Sequence, residues 1–119
     1  MITIYHNPRC SKSRETLALV ESAAQRLGEP VEVVEYLKQP PTLATLRQLH
    51  TMLGLPVREM LRSNEDVYKE LDLADPGLTD GELLAAVADN PILLQRPVVV
   101  RNRQAAIGRP PEAVSALLD

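Results

Sequence analysis

The sequence contains no Trp and no Phe, and only three Tyr. Its core must therefore be built from Leu, Val, Ile, Ala and Met, and aromatic stacking on nucleic-acid bases is poorly supplied. Cysteine is almost absent: Cys10 stands alone, which excludes an intramolecular disulfide and argues against a disulfide-stapled secreted domain. No apolar run approaches the roughly 20 residues that cross a bilayer, and the start MITIYHNPRC has neither the basic opening nor the apolar stretch of a signal peptide. A cytoplasmic location with no membrane partner is the expectation. Positive charge is not in excess either, because the formal net charge is -3. That total argues against a general surface for nucleic acid while leaving room for a local basic pocket. There is no Gly-rich phosphate loop and no acidic cluster, and two distant histidines with one cysteine do not make a zinc site, so no metal is expected.

What is present suits a small soluble protein. The chain has 119 residues, enough for one shared core and too few for two independent ones, and its 45% hydrophobic content is far from that of a disordered chain. A single domain over residues 1–119, acting as a monomer, is expected. Residues 2–5 alternate as a short strand does and stop at His6-Asn7-Pro8. From Ser11, the spacing of Leu17, Val20, Ala24 and Leu27 predicts a helix closed by Gly28 and Pro30. Val31 to Tyr36 reads as a second strand, which completes a βαβ unit. Residues 42 to 90 then read as helical: one helix over Leu43 to Leu53, a shorter piece from Val57 to Arg62, and another after the Thr79/Glu82 capping box. Val98-Val99-Val100 and Ala105-Ala106-Ile107 flank a hairpin turn that lacks the usual Gly, and Pro110-Pro111-Glu112 opens a last helix through Val114, Leu117 and Leu118. The fold class read from this order is α/β and thioredoxin-like, βαβ then ββα, with a helical insertion at about 42–90.

Cys10 falls at the predicted start of the first helix, where unpaired N–H groups and the helix dipole favour an anion. His6, Arg9, Lys12 and Arg14 lie within four residues of it, and such surroundings lower a thiol from about 8.5 to between roughly 3.5 and 7.5. A lone cysteine is also a common buried filler. His6 is either a donor or proton shuttle for the thiolate or a turn residue bonded to backbone. Ser11 and Ser13 offer hydroxyls near the sulfur or simple caps. Arg62, Arg96 before Pro97, and Arg109 between Gly108 and Pro110 each sit at an element boundary. Guanidinium groups suit a tetrahedral oxyanion because they offer paired planar donors and stay charged. Spacing alone does not show that these three converge, and most single arginines are solvated surface residues.

The run from Tyr5 to Leu17, YHNPRCSKSRETL, closely resembles the cysteine loop of the glutaredoxin-dependent arsenate reductase family. Further matches recur in order: Tyr36-Leu37 before Pro40-Pro41, Val57-Arg58 through Leu61-Arg62-Ser63-Asn64, Pro91-Ile92-Leu93 through Arg96-Pro97-Val98-Val99-Val100, and Arg109-Pro110. The resemblance covers nearly the whole chain. It implies that Cys10 is the catalytic nucleophile, that Arg62, Arg96 and Arg109 bind the oxyanion, that His6 and Ser13 support the thiolate, and that Pro97 is the cis-proline of thioredoxin-like folds. Two departures stand out. Ser11-Lys12 replaces a Gly-Thr pair of some members, and the chain lacks their C-terminal tail. The implied reaction is reduction of arsenate to arsenite through a Cys10 adduct, with no bound cofactor, glutathione as co-substrate and glutaredoxin as partner. The alternatives are a thiol-dependent reductase of another oxyanion or of a mixed disulfide, and a non-enzymatic regulator that binds RNA polymerase, a related branch in which many members carry Cys-x-x-Cys; here Ser13 holds the second position.

Overall fold

A computed structural model describes residues 1–119. The elements run β1 (Ile2–His6), α1 (Ser11–Leu27), β2 (Val31–Glu35), α2 (Leu43–Leu53), a 3-10 turn (Val57–Met60), α3 (Asp66–Glu70), α4 (Asp80–Asp89), a second 3-10 turn (Pro91–Leu93), β3 (Val98–Arg101), β4 (Gln104–Ile107) and a 3-10 helix (Pro111–Leu118). They gather into two compact units, one of residues 1–39 with 96–119 and one of residues 40–95.

The first unit is built on a four-stranded sheet in the order β2-β1-β3-β4. β1 and β2 pair in parallel from Ile2↔Val31 to His6↔Glu35, as the intervening helix requires. β3 runs antiparallel to β1 with Ile4 opposite Val99, and β4 returns antiparallel to β3. This is the thioredoxin-like α/β order that the sequence predicts. β1 alternates, burying Ile2, Ile4 and His6, whereas adjacent Val98 and Val99 in central β3 are both buried, as a strand covered on both faces must be. Ile2, Ile4 and Val99 form a core with Val20, Ala23 and Ala24 of α1 and with Val114 and Leu118. The closing segment is a 3-10 helix rather than the α-helix suggested by its apolar spacing. The Asn102-Arg103 turn has φ of 52° and 63°, so two non-glycine residues take the left-handed conformation that two-residue hairpins favour.

Far from the cysteine loop, Arg101 ties the ends of this unit together. It forms an ion pair with Glu29, which also binds the Met1 ammonium at 3.2 Å, and it donates to the carbonyls of Leu117 at 2.8 Å and Asp119 at 3.2 Å. Hydrogen bonding from Arg101 outweighs burial and, with the Met1 ammonium, lowers the Glu29 carboxyl to about 2. A carboxyl depressed from an unfolded value of about 4.3 stabilises the fold above that value and loses the contribution as pH falls through about 2. Arg101→Ala is therefore expected to lower the urea midpoint clearly at pH 7. The gap from the parent protein should narrow at pH 3 and below, and a gap independent of pH would count against this account.

In the second unit α2 begins at Thr42, whose side chain accepts from the Thr45 N–H, and ends at Gly54 with φ of 65°. α4 starts with the full capping box of Thr79 and Glu82. Leu46 and Leu49 of α2, Leu83, Leu84 and Val87 of α4, and Val57 and Met60 are all buried. Arg58 donates to the carbonyls of Leu73 at 2.8 Å and Asp75 at 2.6 Å, which pins the segment after α3. Leu61 bridges Leu94, and the N–H groups of Arg62 and Gln95 reach the carbonyls of Leu93 at 2.8 Å and Met60 at 2.8 Å. No helix of the chain is long and apolar enough to cross a membrane.

Candidate functional site

The site begins with a turn. Asn followed by Pro favours a tight reversal, and here the Asn7 carbonyl accepts the Cys10 N–H at 3.0 Å while its side-chain oxygen accepts the Arg9 N–H at 3.0 Å. Arg14 braces the turn from outside by donating to the Pro8 carbonyl at 2.9 Å. The reversal delivers Cys10 to the N-cap of α1 with φ -96° and ψ 123°, and its carbonyl accepts the Arg14 N–H at 3.0 Å. No side-chain capping bond of full geometry forms at Cys10; the sulfur nevertheless lies against the free N–H groups of the first turn. Burial pushes the thiol up, but the Ser13 N–H, the Arg96 guanidinium and the Lys12 N–H together outweigh it and hold the pKa below its ordinary value. Alkylation of Cys10 by iodoacetamide should accordingly titrate below about 8.5. An unshifted profile would remove the case for an activated thiol.

Ser13 reaches the site differently from the sequence expectation of a hydroxyl turned to the sulfur. It is fully buried, and its hydroxyl lies 2.7 Å from His6 Nδ1 and accepts the Asn7 N–H at 3.0 Å. Only its backbone N–H serves Cys10. When the imidazole is neutral and protonated on Nε2, the Ser13 hydroxyl proton bonds Nδ1 while its oxygen accepts from Asn7. Burial lowers the His6 pKa and so favours the neutral ring, opposed by Glu35 and Glu21 and assisted by Arg14. The pair His6–Ser13 thus fastens the cysteine turn to both β1 and α1.

Arg96 precedes β3, and its bond to Pro97 is cis, as is Arg109-Pro110. Its guanidinium lowers the Cys10 pKa by charge and by hydrogen bonding, yet Nε and Nη1 are buried and find no acceptor of full hydrogen-bond geometry. Arg96 as a whole is half-buried, but buried donors left without an acceptor cost roughly 1–3 kcal/mol each, and an oxyanion beside the sulfur would satisfy them. Arg109 is exposed, and its Nη1 donates to the Arg96 carbonyl at 3.3 Å, so both arginines belong to one corner. Gly108 makes that corner possible. Its N–H donates to the Pro97 carbonyl at 2.9 Å, and a Cβ on it would meet Thr16 Oγ1 at 2.6 Å and Pro97 Cγ at 2.9 Å. Thr16 is fully buried and donates to the Lys12 carbonyl at 2.8 Å. Arg62 belongs to the other unit, where its Nε donates to Glu65 at 3.0 Å.

Of the residues singled out from the sequence, Cys10, Arg96, Arg109, His6, Ser13 and Pro97 fall in one unit, and Arg62 falls in the other. Sequence reasoning missed Asn7, Thr16 and Gly108, of which only the Asn-Pro pair carries a local signal.

These features define a thioredoxin-like protein whose one cysteine lies beside an arginine that, with N–H groups of the first helical turn, holds the thiol below its ordinary pKa. The profile of the ArsC family matches residues 5–117, and the chain belongs to that family. It is 49% identical to an arsenate reductase of Neisseria meningitidis over 98% of this chain and 97% of the relative. It is 54% identical to an uncharacterised protein of Escherichia coli, YfgD, over 95% and 92%. An arsenate reductase structure from Vibrio cholerae superposes with a TM-score of 0.89 at 49% identity, covering 98% of this chain and 96% of that one.

Proposed function

We propose that this protein reduces arsenate to arsenite through a covalent adduct on Cys10. The observation that carries this reading is the Arg96 guanidinium, with two buried nitrogens lacking an acceptor of full hydrogen-bond geometry, beside a thiol held below its ordinary pKa. Arg96 and Arg109 hold the arsenate oxygens. Arg62 is assigned to the same oxyanion on the family resemblance, and so is the function of the two units as a single domain. His6 and Ser13 support the thiolate by holding the turn that carries it.

The Cys10 thiolate attacks arsenic, and a protonated oxygen leaves as water. Glutathione then displaces a second oxygen from the adduct, again as water, and a further thiol attacks the glutathione sulfur. The electron pair of the broken S–As bond stays on arsenic, which becomes As(III), while a disulfide forms. Hydrolysis of the Cys10–As(III) bond consumes one water, releases arsenite and restores the thiol. In balance, arsenate and two thiols give arsenite, a disulfide and water.

A chain with one cysteine cannot resolve its own adduct, so glutathione and glutaredoxin supply the electrons. Arsenite formation assayed with arsenate, glutathione and glutaredoxin tests the proposal, and no arsenite above the protein-free rate would overturn it. Omitting glutaredoxin, or offering thioredoxin alone, should slow turnover strongly; equal rates with thioredoxin would contradict the donor assignment. The same assay separates the alternatives, since a regulator or a reductase confined to another substrate forms no arsenite.

A further inference from the structure

Beside the cysteine turn, on the side of the sheet edge formed by β2, lies a cleft of about 200 Å³ lined by His6, Asn7, Pro8, Arg9, Glu35, Leu37 and Lys38. We infer that this cleft docks the γ-glutamyl arm of glutathione, with Glu35 taking its ammonium, Arg9 and Lys38 its carboxylate, and Pro8 and Leu37 its methylene stem. The inference rests on the reading that a glutathione thiol attacks at Cys10.

Both walls are fixed before any ligand arrives. One is the Asn7–Cys10 turn, held by Asn7 and Ser13. The other is the turn ending β2, in which the N–H groups of Lys38 and Gln39 both reach the Glu35 carbonyl, at 2.9 and 2.8 Å. Preformed walls spare a ligand the cost of ordering them.

Size and reach both point to one arm of the peptide. The volume falls below the roughly 300–1,000 Å³ that encloses a drug-sized ligand, so the cleft takes an amino-acid arm rather than the whole tripeptide. Arg9 adjoins Cys10 in sequence, and an extended residue spans at most about 3.3–3.6 Å. A ligand anchored by its first residue then holds its central cysteine about one residue further along, the same step that separates Arg9 from Cys10.

Charge fits as well. Both signs are present in the small space, as a free amino-acid end requires. Lys38 and Glu35 pair at 3.5 Å with the lysine side chain 78% exposed, and such a pair is worth little and opens at small cost. Leu37 is 43% exposed at the same place.

The experiment has a kinetic and a binding part. Glu35→Gln and Lys38→Ala should each raise the KM for glutathione roughly three- to tenfold and leave the KM for arsenate unchanged, with Arg47→Ala altering neither. γ-Glutamylcysteine should replace glutathione well, and cysteinylglycine, which lacks the arm, poorly. S-methylglutathione, which has no thiol, should shift the amide resonances of Arg9, Glu35, Leu37 and Lys38 in the parent protein, and less in the variants. Equal use of cysteinylglycine, or an unchanged glutathione KM in both variants, overturns the inference while arsenate reduction stands. Binding of S-methylglutathione at these amides without any arsenite formation sustains the cleft and sinks the arsenate reading instead.

Discussion

Cys10→Ser is expected to lower arsenite formation by at least about 10⁴-fold, because the alcohol that replaces the thiol is neither ionised near neutral pH nor able to form the sulfur–arsenic bond on which reduction depends. The fold should not suffer. Cys10 is the N-cap of α1 without a side-chain capping bond, and serine is among the preferred residues at that place. A serine oxygen there can accept an N–H of the first turn, so the melting temperature should stay constant or rise by up to about 5 °C. Measured together, turnover and melting separate loss of the nucleophile from loss of structure. Retained turnover in a well-folded variant would end the adduct mechanism.

Arg96→Ala should cost about 2–4 kcal/mol of transition-state stabilisation, or roughly 30- to 1,000-fold in kcat/KM for arsenate. It should also move the alkylation profile of Cys10 to higher pH, since the guanidinium is one of the groups that lower the thiol. Arg96→Lys separates those two effects. Lysine keeps the charge, and with it part of the pKa depression, but lacks the planar fork, so turnover should recover only in part. Complete recovery would argue against paired donors on the oxyanion. Arg109→Ala and Arg62→Ala should reduce kcat/KM in the same direction if they share the anion, whereas Arg47→Ala on the exposed face of α2 should leave it unchanged.

The parts of the fold legible in the sequence are those with a local cause. α1 and α2 end at Gly28 and Gly54, both at positive φ, and α4 opens at a capping box; each signal lies within four residues of the boundary it sets. α3 escaped notice because it is five residues long and buries none of them, so it has no apolar face to read. The 3-10 character of Pro111–Leu118 was equally hidden, since its buried residues Pro111, Val114 and Leu118 are spaced as an α-helix would space them. Cys10 was legible as a helix-start thiol among cations. The contact of Arg96 with that thiol was not, because 85 residues of chain intervene and no pattern of spacing records a tertiary approach. Ser13 was legible as a residue near Cys10 but not in its direction, which depends on the partners His6 and Asn7.

Gly108 sets a tolerance that no charge or hydrogen bond reveals. The helix carrying the thiol and the corner carrying Arg96 and Arg109 meet across a gap with no room for a methyl group, since the nearest atoms would stand 2.6 to 2.9 Å from an added Cβ. Thr16 cannot swing aside without giving up its bond to Lys12, and Pro97 Cγ would stand 2.9 Å from the added carbon. The spacing between Cys10 and the corner of Arg96 and Arg109 is thus calibrated by a hydrogen atom, and one carbon inserted there would act as a shim that lifts the corner away from sulfur. Any sequence that keeps this reach must keep position 108 bare, even though that residue brings no functional group to the reaction.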